Sequence, residues 1–171
     1  ALKQASEFQI GKDGKQTIAS LAMLISDVKA IGLKEAQGLR ITESFYWDLD
    51  VRSRAWSARY AARMGSMPSM IQAGTYSAVR HYLKAVARVG SKATDEVIAA
   101  MHAVPVEDAT VSAGARLRAD GRLMRDFYSF RVKSPARSRG PWDLYERVAT
   151  VPAEEAAIPV TQSACPLLKG Q

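Results

Sequence analysis

Cysteine is almost absent: Cys165 stands alone in the 171 residues. An internal disulfide is thereby excluded, and so is a metal site built from thiolates. Histidine is nearly as scarce, with His81 and His102 far apart and not at metal-ligand spacing. No serine or cysteine stands in a nucleophile motif, so no catalytic constellation assembles, no cofactor is implied, and an enzyme is not expected. The longest apolar run, residues 18–25 broken by Ser20, falls far short of the roughly 20 residues a membrane span needs. The basic excess is real but scattered: 24 Lys and Arg against 17 Asp and Glu give +7. Without a dense basic cluster or a recognition-helix, zinc-finger or RNA-binding signature, nucleic acid is not an expected partner. A signal peptide is missing too. Residues 1–8 read instead as the later turns of an amphipathic helix without an N-cap, and the chain is expected to be a fragment.

What is present suffices for one or two compact units, with 47% hydrophobic and 24% charged residues. The GKDGK loop at 11–15 lacks the spacing and following Ser or Thr of a phosphate-cradling loop and reads as a turn. Residues 17–25 read as a strand covered on both faces, closed by Ser26 and Asp27, and 28–37 as a helical or irregular link. A second strand runs from Leu39 to about Phe45, with Leu39 and Ile41 on one face and Arg40 and Thr42 on the other. Strand, link, strand is the α/β pattern.

The chain is organised around residues 38–50, GLRITESFYWDLD. Successive strand side chains point to opposite faces, so one of Phe45, Tyr46 and Trp47 has to leave the core and meet a cleft or a second body. Asp50 is the expected N-cap of a helix over 51–64 stopped by Gly65; Asp48 and Asp50 have no third ligand nearby, which favours capping over a metal. A longer amphipathic helix runs from Pro68 to about Val89, ended by Gly90. Its small-residue first turn, 69–74, suits either close approach of a ligand or helix packing. Thr94 is placed to cap a third helix, with Val97, Met101 and Val104 buried and Pro105 ending it. Residues 115–133 read as a hairpin about Asp120-Gly121, with Met124, Tyr128, Phe130 and Val132 on one face. Residues 142–151 read as a strand or short helix, and Pro152, Pro159 and Pro166 predict an extended tail.

Together ITESFYWDLD, the helix after it, QAGTYSAVRHYLKAV at 72–86, RADGRLMRDFYSFRVKSP and the terminal CPLLK resemble the C-terminal half of type I periplasmic solute-binding proteins. More narrowly they are similar to the branched-chain or hydrophobic amino acid receptors of ABC transporters, including members that take aromatic carboxylates. The resemblance implies an α/β fold with portions of two Rossmann-like lobes, mostly parallel sheets flanked by helices, closing on a ligand about a three-stranded hinge. It implies residues 1–44 in the second lobe, 45–128 in the first, and 129–171 back in the second. It implies a periplasmic protein with a small-molecule ligand and a membrane permease as partners. The part of the family that supplies most of the first lobe and the groups holding a ligand carboxylate has no counterpart here. A truncated, non-binding module that pairs with another copy or with the N-terminal half is the alternative.

On that mapping Asp27 corresponds to an acidic residue that pairs with a ligand ammonium in the amino-acid-binding members; a helix cap is the other reading. Tyr46 and Trp47 form either an aromatic wall or hinge packing. Gln72 and Tyr76 lie on the turn that faces the cleft in the family, and core packing accounts equally for Tyr76.

Overall fold

The computed structural model describes residues 2–8, 10–11, 16–165 and 168. After a short helix α1 (Leu2–Glu7), strand β1 (Ala19–Ser20) leads into helices α2 (Ile25–Ile31) and α3 (Leu33–Ala36), then strand β2 (Arg40–Glu43). Three helices follow, α4 (Val51–Met64), α5 (Met70–Val89) and α6 (Thr94–Ala103). The chain then forms a small hairpin, β3 (Arg116–Leu117) with β4 (Leu123–Met124), and closes with β5 (Phe127–Val132), β6 (Tyr145–Val151) and α7 (Ala153–Ala156).

The α/β expectation stands, but the main sheet is mixed rather than mostly parallel. Its order is β1-β2-β5-β6; β1 and β2 are parallel, and the other two pairings are antiparallel. The excursion through three helices returns the chain beside the strand it left, with Glu43 opposite Tyr128. Antiparallel pairing is the direct result.

The strand expected over 17–25 shrinks to two residues, and Ile25 opens a helix instead. An apolar run without alternation does not separate strand from helix. Here Asp27 decides it: its Oδ2 accepts from the Leu24 amide at 2.8 Å and closes the first turn of α2, while Ile25 and Val28 are buried one turn apart.

Local chemistry explains the other helix ends. The Ser53 amide donates to Asp50 Oδ1 at 2.7 Å, the Asp50 amide donates to Ser53 Oγ at 2.9 Å, and Gly65 takes the left-handed conformation at φ 71 after Met64. Helix α5 starts two residues later than expected. Ser69 caps it, its hydroxyl accepting from the Ile71 amide at 3.1 Å while Gln72 Oε1 accepts from the Ser69 amide at 2.9 Å. For α6 the cap is Ala93 rather than Thr94, which is already the first helical residue; Val97 and Ala100 are its buried positions, with Met101 only partly covered.

The expected hairpin forms only at its tip. Beyond Met124 the chain turns Arg125 inward and hands β5 to β2 and β6, though Met124, Tyr128, Phe130 and Val132 are all buried. The tail is not extended throughout: Pro152 precedes α7, and Pro159 precedes a single turn of 3-10 helix at Val160–Gln162. The turn expected at 12–15, together with Pro166, Leu167 and Lys169 of CPLLK, lies outside the described residues.

The core divides in three. Ile25, Val28, Leu39, Ile41, Tyr46, Phe130, Val132 and Tyr145 fill the sheet side, Phe45, Trp56 and Ala73 bind α4 to α5, and Ala85, Val97 and Ala100 join α5 to α6.

Candidate functional site

Strands β1 and β2 run parallel, so their carboxyl ends open on one edge of the sheet, where open α/β sheets bind ligands. Past β1 the first residue is Leu21, wholly exposed; past β2 come Ser44, Phe45, Tyr46 and Trp47.

Asp27 does not sit in the loop immediately after the strand. It lies in the first turn of α2, exposed, with one carboxylate oxygen on the Leu24 amide. Tyr46 is 5% exposed and inside the sheet core, stacked on Tyr145 with centroids 5.0 Å apart. Its hydroxyl donates to Trp142 O at 3.1 Å and accepts from the Leu144 and Tyr145 amides at 3.2 and 3.3 Å. Burial drives its pKa well above the usual phenol range. Trp47, half-buried, donates from Nε1 to the same Trp142 carbonyl at 2.8 Å and lines an open cavity of about 280 Å³ with Lys133, Arg139 and Trp142. Tyr46 and Trp47 are thus brought together by Trp142, just past the end of β2.

Gln72 and Tyr76 form a second pair, one turn apart on α5. Gln72 is exposed, and its Oε1 accepts from Ser69 in the capping box. Tyr76, half-buried, packs on Trp56 at 5.2 Å, and Trp56 in turn meets Phe45 edge-on at 5.4 Å.

Glu43 links these pieces and is not among the residues expected from sequence. It is 1% exposed at the carboxyl end of β2, and Tyr145 donates its hydroxyl to Oε1 at 3.1 Å while Oε2 has no hydrogen-bond partner among the described residues. Burial raises its pKa from 4.5 to about 7; the Tyr145 hydroxyl and the Met70 amide at the start of α5 act against that, and the Asp27 charge adds to it. The alternation Leu39, Ile41, Glu43 puts Glu43 on the inward face of β2, the one signal in the sequence that marks it.

Arg125 is a second buried charge that the sequence does not single out. Its Nη2 donates to the carbonyls of Ser44 and Thr110, pinning the chain just after β2 to the segment after α6. Behind it Asp108 accepts from Ser77 Oγ and from the Thr110 amide, both at 2.7 Å, tying α5 to the same segment. Among the described residues no group of His, Cys, Asp and Glu is arranged to hold a metal ion, and no helix is long and apolar enough to cross a membrane.

The family model described as periplasmic binding protein matches residues 1–140. No match is found among the curated proteins. Among solved structures, a periplasmic binding protein from Burkholderia mallei is 43% identical over 99% of this chain, with a TM-score of 0.89. A branched chain amino acid ABC transporter periplasmic ligand-binding protein from Burkholderia xenovorans is 41% identical over 97%, with a TM-score of 0.90. In both cases 44% of the relative's chain is covered, so the present chain spans less than half their length. A solute binding protein of an ABC transporter from Rhodopseudomonas palustris, solved with 3,4-dihydroxy benzoic acid, shares the fold at 21% identity, with a TM-score of 0.71 over 89% of this chain and 41% of its own.

Proposed function

Because the chain belongs to the periplasmic binding protein family, we propose that it forms the C-terminal part of the solute receptor of an ABC importer. The receptor works in the periplasm, delivers its ligand to a membrane permease, and takes a branched-chain or hydrophobic amino acid or a related aromatic carboxylate. The observation that carries this reading is the 43% identity sustained over 99% of the chain, far beyond one short motif.

The reading divides the chain between two lobes. Residues 1–44 and 129–171 build one around the main sheet, and 45–128 contribute helices to the other. The crossings lie side by side where Glu43 pairs with Tyr128, and Arg125 braces them from beneath. Asp27 faces the cleft from the sheet lobe; Gln72 and Tyr76 face it from the start of α5; Tyr46 and Trp47 form its floor at the hinge, where stacking on Tyr145 and the shared Trp142 carbonyl keep the rings fixed while the lobes rotate.

The test is a thermal-shift panel on the full-length receptor carrying these residues, with valine, leucine, isoleucine, phenylalanine, benzoate and 4-hydroxybenzoate. At 100-fold excess over its dissociation constant a true ligand adds about 2.7 kcal/mol of stability. Scattering measured with that ligand shows a smaller radius of gyration as the lobes close. If no member of the panel raises the unfolding temperature, the receptor reading is wrong. Where the ligand carries an amine, Asp27→Ala weakens it more than it weakens the matching acid without one.

A further inference from the structure

Resting on that receptor reading, we propose that the outer face of α5 seats the remaining half of the receptor, through a segment that is apolar along its middle and carries carboxylates at its margin. The buried face of α5 repeats every four residues: Ala73, Ser77, His81 and Ala85. Thr75, Val79, Leu83 and Ala87 keep the same spacing two residues out of step, which turns them to the opposite side of the helix. With Tyr76, Arg80 and Lys84 they line an apolar groove of about 670 Å³, and within it Val79 and Leu83 are each more than half exposed. It runs along α5 away from the end that bears Gln72. A contiguous apolar strip marks an interaction surface, where one exposed side chain would not.

The layers of the fold indicate what covers it. A helix of an α/β lobe buries its apolar side against a sheet or another helix. The inner side of α5 is already taken, by Trp56 of α4 against Ala73 and by Val97 and Ala100 of α6 against Ala85. Residues 45–128 hold three helices and one hairpin of two-residue strands, so they contain no sheet broad enough for the outer side. More than half of each Burkholderia relative lies outside the match, and that length is the material for the missing layer. In the chain by itself the groove is open to water, so substitutions there are nearly silent.

Charge separates this occupant from a second copy. Arg80 donates to the Tyr76 hydroxyl at 3.3 Å and Lys84 to the Glu107 carbonyl at 3.2 Å, and neither meets a carboxylate among the described residues. Helix α5 contains no Asp or Glu at all. A two-fold contact between copies would therefore set these cations against their own kind. An apolar segment flanked by Asp or Glu buries Val79 and Leu83 and gives both cations a partner.

The experiment is zero-length carbodiimide cross-linking of the unmodified full-length receptor, read by peptide mass spectrometry. Lys84 is expected to join an Asp or Glu that precedes Ala1 in the receptor chain. In a blend of light and heavy-labelled receptor, mixed-isotope pairs at Lys84 would reveal a second copy and overturn the proposal. Leu83→Cys supplies an independent readout: maleimide should label it at least about a hundredfold slower in the native receptor than in the unfolded one, because local opening must come first. Free labelling of the folded variant overturns the proposal, and if the ligand panel still succeeds the receptor reading survives. A protected, cross-linked groove in a receptor that no ligand stabilises leaves this contact standing and sinks the receptor reading instead.

Discussion

Around the main sheet, Tyr46 lies against Phe130 at 5.3 Å and Tyr145 at 5.0 Å, with Ile41, Val28 and Val132 closing the layer. Along α5 the arrangement is reversed. Its buried face is made of small or polar side chains, Ala73, Ser77, His81 and Ala85, while Ile71, Val79 and Leu83 face water. An apolar groove of about 670 Å³ runs over Tyr76, Val79 and Leu83. The sheet side covers its aromatics with its own strands and α2. The helical side has only small apolar clusters, around Trp56 and around Ala85, and adds short polar links: Asp108 to Ser77 and Thr110, and the His81 ring on the Met101 carbonyl at 2.9 Å. Stability should therefore be concentrated in the sheet, with the helical body contributing specificity of docking more than burial.

Three measurements probe that contrast. The largest effect belongs to Phe130→Ala, which removes a ring packed against Tyr46, Tyr128 and Tyr145 and should cost about 3–5 kcal/mol in denaturant unfolding. A loss under about 1 kcal/mol would erase the distinction between the two sides.

Next comes pH. Glu43 is raised in the folded chain from 4.5 to about 7, so the native state holds a proton that the unfolded chain has released over that range. Stability should be highest below pH 4.5 on account of this group and fall as pH rises toward 7, by about 3 kcal/mol at 1.36 kcal/mol per pKa unit. Glu43→Gln, which keeps the shape and removes the titration, should flatten the curve between those limits. An unchanged slope would mean that another group carries it.

The smallest effect is on the helical side. Val79→Ser, at a position 53% exposed, should leave stability within about 0.5 kcal/mol of the parent, because the side chain lies on the exposed face of α5, outside the buried clusters.

The parts of the fold readable from sequence are those decided within a few residues. Asp50 and Gly65 bound α4 as expected because a carboxylate over free amides and a left-handed glycine are local chemistry. The Ser69-x-x-Gln72 box that starts α5 is equally local, and it explains why Gln72 is not a free side chain. The strand expected over 17–25 does not form at that length because its apolar run carries no period, and Asp27, whose charge draws the eye toward a ligand, has its carboxylate closing a helix turn. Pairing of β5 with β2 is beyond local reading, since it joins segments separated by three helices. The candidate site divides the same way: Tyr46 and Trp47 stand out in sequence as consecutive aromatics that cannot share one strand face, whereas Glu43 and Arg125 depend on which distant groups surround them, Tyr145 in one case and Ser44 and Thr110 in the other.

The long excursion between β2 and β5 also sets an order of assembly. Glu43 and its partner Tyr145 lie 102 positions apart, so strand β2 leaves the ribosome well before any strand that can flank it on the β5 side. Helices α4 to α6 can form meanwhile from neighbouring residues, and at ordinary synthesis speeds of about 5–20 residues per second the sheet waits several seconds for β5. During that interval Ile41 lacks Phe130 opposite it and Glu43 is still open to water. Closure of the aromatic layer and withdrawal of that carboxylate from solvent need β6 as well as β5, because Tyr46 and Glu43 both meet Tyr145.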